Sequence, residues 1–293
     1  MRRLVGVLLT IISAAAFGAM PILARLAYAS GTDPVTLLFL RFASAGVMML
    51  VLSRARGSAL PRGRTLLGLI GLGGALYVAQ PLTYFIALTL IPASLVGLLF
   101  YIYPVLVTVL AALLFRERVT RAQSAALLLA LCGAALVIGP EYGGHPLGIL
   151  LAIGSAVLYS LYVIGTSVLM RRVSAIAGSA VIIGSAGIVF GALAALRGPH
   201  LPATPQGWAA ALALAVVATV VAMVTLNAGL ARIGAAQAAT ISTLGPVVTV
   251  ALAISVLGEA ITPQRIGGGA LILGAVLILT ARELRQARAG AYQ

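Results

Sequence analysis

The chain has 293 residues, of which 62% are hydrophobic and 8% are charged, and its mean hydropathy is +1.16. In soluble globular domains roughly a quarter of the residues are charged. The composition of this chain therefore excludes a soluble fold and indicates a protein embedded in a lipid bilayer. The net charge of +14 would indicate a nucleic-acid partner in a soluble protein, but here the arginines occupy short gaps between apolar runs, which favours a signal of membrane topology.

Ten apolar runs are predicted to be membrane-spanning helices, because a helix of about 20 residues covers a hydrocarbon core of about 30 Å. Open strands are excluded, since their backbone groups would be unsatisfied in lipid. Segment 1–19 resembles a signal peptide, but its copy at 146–164 lies mid-chain, so we expect an uncleaved first span. In chain order, spans 1 to 10 are predicted at 4–27, 34–53, 65–88, 93–114, 121–139, 147–170, 175–196, 208–230, 235–257 and 264–281.

The chain also repeats itself at an offset of 142 residues. Pro104 and Glu117 fall on Pro246 and Glu259, and both residue types are scarce enough here to make these matches informative. The repeat divides the chain into 1–140 with spans 1 to 5 and 141–293 with spans 6 to 10. Because five is odd, the second copy must enter the membrane from the opposite side. The predicted fold is therefore an all-α membrane protein of ten transmembrane helices, built as two inverted five-helix repeats, an architecture associated with alternating-access transporters.

The arginines predict the orientation of the ten spans. Fifteen of the nineteen lie in gaps on one side, Arg197 and Arg265 lie on the other side, and Arg25 and Arg41 fall within spans. Loops rich in arginine stay in the cytoplasm, so both termini are predicted to be cytoplasmic. The same count supports the assignment of ten spans, because one missing span would disturb the alternation.

Several segments resemble a known family. Span 4 is followed by FRERVT at 115–120, span 9 is followed by LGEAIT, which starts at its last residue and covers 257–262, and span 2 contains LRF at 40–42. Together with the five-plus-five layout, they resemble the drug/metabolite transporter superfamily, more narrowly its EamA-type ten-span exporters, and within these the aromatic amino-acid exporter branch. The resemblance implies export from a bacterial cytoplasm across the inner membrane. It also implies a central cavity lined chiefly by spans 1, 3, 4, 6, 8 and 9.

The candidate substrate-binding residues are aromatic and neutral polar side chains in the middle of these spans. Tyr77, Gln80 and Tyr84 in span 3 have the spacing that places them on one helix face. Aromatic faces with neutral hydrogen-bonding groups suit a zwitterion with an apolar or aromatic side chain, although tyrosines also form belts at membrane interfaces. The predicted binding set is Phe17, Met20, Tyr77, Gln80, Tyr84, Tyr101, Tyr159, Tyr162, Asn227 and Thr243.

Two prolines related by the repeat, Pro104 and Pro246, are candidates for a gating hinge. Proline removes a backbone donor and frees a carbonyl about one turn before it. A symmetric pair of breaks near the membrane midplane predicts either a hinge or a site where freed carbonyls meet the substrate. A static kink that helps the bundle to close is the alternative.

Glu117 and Glu259 are predicted to have a structural role. Each is followed three residues later by a threonine, Thr120 or Thr262, at the start of the next span. This pattern predicts helix capping, with a carboxylate placed favourably beside a helix N-terminus.

Arg41, inside span 2, is also assigned a structural role, either snorkelling toward Asp33 or bonding carbonyls inside the bundle. Binding of a substrate carboxylate is the alternative for this residue. Its repeat equivalent is Ile183, so any role is confined to one copy.

The five acidic residues and both histidines lie at span ends or in loops. Proton-coupled exporters usually keep an ionisable group inside the bundle, so the sequence predicts facilitated transport driven by the substrate gradient. No phosphate loop, zinc spacing or catalytic triad occurs, so we expect neither an enzyme nor a cofactor or metal.

The expected partners are a small-molecule substrate, amino acids or similar metabolites, and the lipid bilayer, without nucleic acid. A monomer is among the states that the sequence allows. Two alternatives stay open at this point: an exporter of other small metabolites or drugs in the same family, and a channel or lipid-translocating protein.

Overall fold

The computed structural model describes residues 2–114, 120–138, 145–170 and 173–290. Within these ranges all regular structure is helical, and nine stretches are long and apolar enough to cross a membrane. The remaining predicted span, span 9, consists of two shorter helices, Ala235–Ser242 and Leu244–Leu257. The predicted all-α membrane fold is therefore confirmed, while the side on which the termini lie stays a prediction.

Some spans are single helices and others are interrupted near their middle. The continuous spans are span 2 (Pro34–Ala55), span 5 (Arg121–Ile138), span 6 (Pro146–Leu169), span 7 (Ala175–Arg197) and span 10 (Pro263–Gly290). The interrupted spans are span 1 (Arg2–Gly18, Met20–Tyr28), span 3 (Gly63–Gly74, Leu76–Leu90), span 4 (Ala93–Phe100, Tyr103–Leu114), span 8 (Pro205–Ala215, a π-helical segment Val216–Val221, Ala222–Ile233) and span 9. In spans 1, 4 and 9 a proline follows the break within three residues, and its missing N–H explains the interruption.

The two repeats interleave, so that each of the spans 1, 2, 3 and 5 packs mainly on a span of the other copy. Span 2 packs on span 7, span 5 on span 10, span 1 on span 8, and span 3 on span 6. One contact recurs at the repeat offset: a Cβ on Gly6 would lie 2.6 Å from Ile233 Cγ2, and a Cβ on Gly148 would lie 2.6 Å from Ile91 Cγ2. Equivalent contacts in both copies are what a two-fold axis produces, and because each copy has five spans, an odd number, this axis lies in the membrane plane and the repeats are inverted.

The interrupted spans cross one another close to their breaks. A Cβ on Gly18 in span 1 would lie 2.6 Å from the carbonyl oxygen of Gly245 in span 9. Thr249 Oγ1 donates to the Gly18 carbonyl across the same crossing, over 2.8 Å. In the other copy, span 6 crosses span 4 at the equivalent place, where Ser160 Oγ donates to the Tyr103 carbonyl over 3.2 Å. The breaks of both repeats are thus gathered around the centre of the bundle.

Candidate substrate cavity

A cavity of about 310 Å³ lies between the two repeats. Sites for small organic ligands start at about this size. The described residues in its wall come from the predicted spans 1, 3, 4, 6, 8 and 9 and also from spans 2 and 7, whereas none of the described residues of spans 5 and 10 lines it.

Most of the predicted binding residues meet at this cavity. Nine of the ten line its wall: Phe17, Met20, Tyr77, Gln80, Tyr84, Tyr101, Tyr159, Tyr162 and Asn227. Thr243 is not part of the wall, because it occupies the break between the two helices of span 9, where the preceding residue Ser242 faces the cavity instead. Their common location is a finding, and substrate binding by them stays a prediction.

Six aromatic rings in the wall form a continuous series, which we call the ring chain. In order of contact it contains Phe42, Tyr77, Tyr162, Tyr159, Phe100 and Tyr84, with successive ring centroids 5.4, 4.7, 5.7, 5.3 and 5.1 Å apart. These rings present apolar faces with hydroxyl groups at some of their edges, which suits a ligand that has a flat or apolar side chain and a polar end.

Two tyrosines in the wall show why local spacing was not sufficient. Tyr101 and Tyr103 are two residues apart, and on a regular helix such residues do not share a face. Span 4 is broken at 101–102, and this turn directs both tyrosines to the cavity. Tyr103 was therefore missed, although Pro104 in the same segment signals an irregular helix.

Arg41 is the one charged side chain among the described residues that line the cavity. Only 5% of its surface is exposed, and its Nε donates to Thr219 Oγ1 over 2.9 Å. Thr219 belongs to the π-helical segment of span 8 and donates in turn to the carbonyl of Leu214. Of the two structural alternatives for Arg41, this orientation toward span 8 disfavours snorkelling toward Asp33, and its role stays a prediction.

One end of the cavity, which we call the closed end, is sealed by hydrogen bonds between helix ends. Arg25 Nη1 donates to the Leu88 carbonyl over 2.8 Å, and Tyr28 Oη donates to the Phe85 carbonyl over 3.0 Å. The loop between spans 7 and 8 also reaches this end, where the backbone N–H of Ala203 donates to the carbonyl of Ser30 over 2.9 Å.

Glu259 contributes a further bond at the closed end. Its carboxylate accepts hydrogen bonds from the backbone N–H groups of Ala93 and Ser94, over 2.7 and 3.1 Å, and from the Ser94 hydroxyl. The carboxylate does lie at a helix N-terminus, but at that of span 4 and not at that of the following span 10. A carboxylate beside a helix N-terminus was expected, but its partners come from the other repeat, and the structural role of Glu259 stays a prediction.

The two threonines that follow the glutamates do cap their own helices. Thr262 Oγ1 accepts from the Arg265 N–H over 3.3 Å at the start of span 10. Thr120 Oγ1 accepts from the Gln123 N–H over 3.4 Å, and Gln123 Oε1 accepts from the Thr120 N–H over 2.7 Å, which is a reciprocal capping box. Glu117 lies outside the described residues.

Asp33, also at the closed end, caps the start of span 2. Its Oδ1 accepts from the N–H groups of Val35 and Thr36 over 2.8 and 3.2 Å, and its Oδ2 lies 3.5 Å from Nδ1 of His200. Burial by itself would raise the pKa of Asp33, but the hydrogen bonds from Thr36 and Val35, helped by His200, hold that pKa below its ordinary value. The carboxylate is thus ionised and occupied at neutral pH.

The other end of the cavity, which we call the open end, reaches Met170 and Ala175, on either side of the connection between spans 6 and 7. This is the side that holds most of the arginines. The cavity therefore extends toward the arginine-rich side of the bundle.

The two predicted hinge prolines lie behind the wall, not in it. Pro246 has no N–H to offer to the carbonyl of Ser242, one turn earlier. Tyr101 Oη donates to this freed carbonyl over 2.8 Å. The break of span 4, which precedes Pro104, is therefore bonded directly to the break of span 9, and the two breaks form one connected unit.

Replacing Pro104 with alanine is expected to slow transport more than it lowers the amount of folded protein. Alanine restores a backbone donor and favours a regular helix through the break, so a hinge would lose its preset bend. We expect roughly a tenfold lower counterflow rate per folded molecule, about 1.4 kcal/mol of barrier. Pro34→Ala is the matched control, because Pro34 occupies the first turn of span 2, where no donor is needed. Equal losses of rate and folded protein in Pro104→Ala would support a static kink.

Comparison with known families agrees with the two-copy layout. The sequence pattern of the EamA-like transporter family matches the chain twice, over residues 4–139 and 146–281. A crystal structure of another protein, 24% identical in sequence, superposes with a TM-score of 0.70 over 96% of this chain and 99% of that one. This likeness shows the same overall fold.

Curated relatives include named exporters. The chain is 32% identical over 173 residues to "Pseudopaline exporter CntI" of Pseudomonas aeruginosa (strain UCBPP-PA14), a match that spans 58% of this chain and 58% of the exporter. It is 29% identical over 207 residues to "Probable terminal-alkyne amino-acid exporter" of Streptantibioticus cattleyicolor, covering 68% of this chain and 67% of that protein. It is 26% identical over 299 residues to "Uncharacterized transporter YcbK" of Bacillus subtilis, covering 97% and 95% of the two chains.

Proposed function

The chain belongs to the EamA-like transporter family, and from this premise we propose that it exports neutral amino acids, including aromatic ones, or closely similar small metabolites. Export proceeds from a bacterial cytoplasm across the inner membrane, with both termini in the cytoplasm. The two relatives named as exporters support the direction of transport, and the name of one of them, an amino-acid exporter, supports the substrate class.

The observation that carries this proposal is the ring chain, which faces neutral polar groups in a cavity of small-ligand size. Gln80 and Asn227 present amide groups to the same space, and no described aspartate, glutamate or histidine lines it. The apolar or aromatic side chain of a substrate can pack against the rings. Its zwitterionic end can form hydrogen bonds with neutral polar groups, and no described side chain adds a fixed negative charge.

The repeat geometry supports alternating access as the mechanism. The cavity reaches the open end, and hydrogen bonds between the repeats seal the closed end. In an inverted repeat the two copies can exchange conformations, and the exchange opens the side that was closed. The halves 1–140 and 141–293 are the units that exchange, and the bonded breaks of spans 4 and 9 are the proposed hinge.

The experiment that tests this proposal is counterflow in proteoliposomes with a labelled panel of phenylalanine, tyrosine, tryptophan, leucine, glutamate and lysine. We expect saturable exchange of the first four and little exchange of the two charged amino acids. Linear uptake without counterflow would favour a channel instead. If other metabolites or drugs are exchanged and these amino acids are not, the protein is an exporter of the same family with a different substrate.

We further expect transport to be facilitated by the substrate gradient alone. No acidic or histidine side chain among the described cavity residues can carry a proton between the two sides. A pH gradient imposed on substrate-loaded proteoliposomes should therefore leave the initial efflux rate of phenylalanine unchanged, apart from titration of the substrate itself. Collapsing the gradient with an ionophore provides the control. Marked uphill accumulation driven by the pH gradient would contradict this mechanism.

A further inference from the structure

The cavity contains one buried positive charge that no described acidic residue neutralises. Arg41 is 95% buried, since 5% of its surface is exposed, and no carboxylate within the described ranges approaches it to 4.0 Å. The two acidic side chains that the structure describes are already engaged: Asp33 accepts from the start of span 2 and Glu259 accepts from the start of span 4.

The guanidinium forms a hydrogen bond at one edge, and two aromatic rings lie close to it. Nε donates to Thr219, and the guanidinium carbon lies 4.8 Å from the ring centroid of Phe42 and 5.5 Å from that of Phe85. A guanidinium has five N–H donors, and the contacts among described residues use one of them. The donors on the two Nη atoms are left for another partner.

An arginine in this position is costly unless something pairs with it. Removing a charged group from water costs several kcal/mol, and in the middle of a membrane bundle such a group is retained for function. The free pair of Nη groups has the fork geometry that binds a carboxylate through two parallel hydrogen bonds. The repeat equivalent, Ile183, is apolar, so the symmetric scaffold does not require a charge here.

Building on the proposed function, we propose that Arg41 binds the carboxylate of the transported molecule, near the closed end of the cavity. The apolar part of the substrate then lies along the ring chain, which begins beside Arg41 at Phe42. Because no described acidic residue lines the cavity, a free ammonium group is not required for binding. The substrate class is therefore monocarboxylates with an apolar or aromatic side chain, of which α-amino acids are one kind.

The test measures ligand binding to the purified full-length protein by calorimetry, so that it does not depend on transport. The probes are phenylalanine, N-acetylphenylalanine, phenylacetate and phenylalaninamide. We expect the three carboxylates to bind and the amide to bind roughly tenfold more weakly or not at all, as the loss of a charge-assisted pair predicts. Arg41→Gln should remove this preference, and Arg41→Lys should keep part of it. Arg54→Gln is the matched control, because Arg54 is an exposed arginine in the last turn of the same helix and lies outside the cavity wall.

The outcomes separate this inference from the proposed function. Equal affinity of the wild-type protein for phenylalanine and its amide would overturn the role of Arg41, and this measurement needs no variant that could misfold. So would a preference for carboxylates that persists in Arg41→Gln, even if amino acids are transported. Arg41-dependent binding of phenylacetate without binding of phenylalanine would support the role of Arg41 and contradict amino-acid export. Absence of binding of every probe would contradict both.

Discussion

Replacing Gly268 with valine is expected to abolish the folded protein. Spans 5 and 10 pack on each other, and a Cβ on Gly268 would lie 2.5 Å from the carbonyl oxygen of Gly133 and 2.7 Å from the backbone nitrogen of Val137. These are backbone atoms of a helix and cannot move aside without breaking its hydrogen bonds. Because close contact between small residues holds helices together in lipid, we expect a loss of about 3 kcal/mol or more in the free energy of unfolding. The measurement is the yield of monodisperse protein and its thermal midpoint.

Gly267→Val supplies the matched control at the adjacent position. A Cβ there would lie 3.4 Å from Leu136 Cδ2, the flexible end of a side chain that can adjust. Both substitutions replace a glycine of span 10 by the same β-branched residue, so they share the change in helix propensity. We expect Gly267→Val to remain folded. A similar loss of folded protein in both variants would show that the close crossing of spans 5 and 10 is not the cause.

The membrane fold follows from properties that act locally along the chain. Apolar length predicts each span, because lipid demands a hydrogen-bonded helix of that length. The prolines of spans 1, 4 and 9 predict their interruptions for the same local reason. The break at Ala75 in span 3 has no such signal, and it lies next to a close crossing of two helices, where a Cβ on Gly73 would lie 2.6 Å from the Ile182 carbonyl of span 7. No proline marks the π-helical segment of span 8 either.

The candidate cavity could be predicted in those spans that contain residue types unusual in the middle of a membrane helix. Tyrosines and amides in the middle of a span are unusual in lipid, and nine of the ten chosen side chains do line the wall. Phe42 was not placed there, and Arg41 was placed there only as an alternative, because the rest of span 2 is mostly apolar and its sequence does not show which face is directed inward. The partners of Glu259 could not be found at all from local spacing, since Ala93 and Ser94 lie 166 and 165 residues away in the chain.

From these bonds we infer a mechanical role for Glu259, which the local sequence pattern does not indicate. It follows the end of span 9 in one repeat and binds the start of span 4 in the other, so its bonds cross the interface that must separate when the closed end opens. A carboxylate that accepts from a helix N-terminus also gains from the helix dipole. Hydrogen bonds to charged groups contribute about 1.5–3 kcal/mol each, which is comparable to the free-energy difference between two conformations of a transporter.

Glu259→Ala is accordingly expected to shift the protein toward its alternative conformation, in which the seal of the closed end is broken and the cavity is accessible from that side. A loss of about 2 kcal/mol changes the ratio of the two conformations roughly 30-fold. The shift can be measured with a Met20→Cys reporter in the cavity, on a Cys132→Ser background, labelled by an impermeant maleimide from each side of the membrane. The parent protein should react mainly from the open end, and Glu259→Ala should also react from the other side.

Thr262→Ala is the matched control for this experiment, because Thr262 lies in the same loop and, among the described residues, its hydroxyl accepts from the start of its own helix and not from the other repeat. It should leave the labelling pattern of the parent unchanged. If Glu259→Ala remains folded and also keeps that pattern, the bonds to span 4 do not hold the cavity shut. If both variants react from the two sides, loosening of the loop and not the loss of the bonds between the repeats controls access to the cavity.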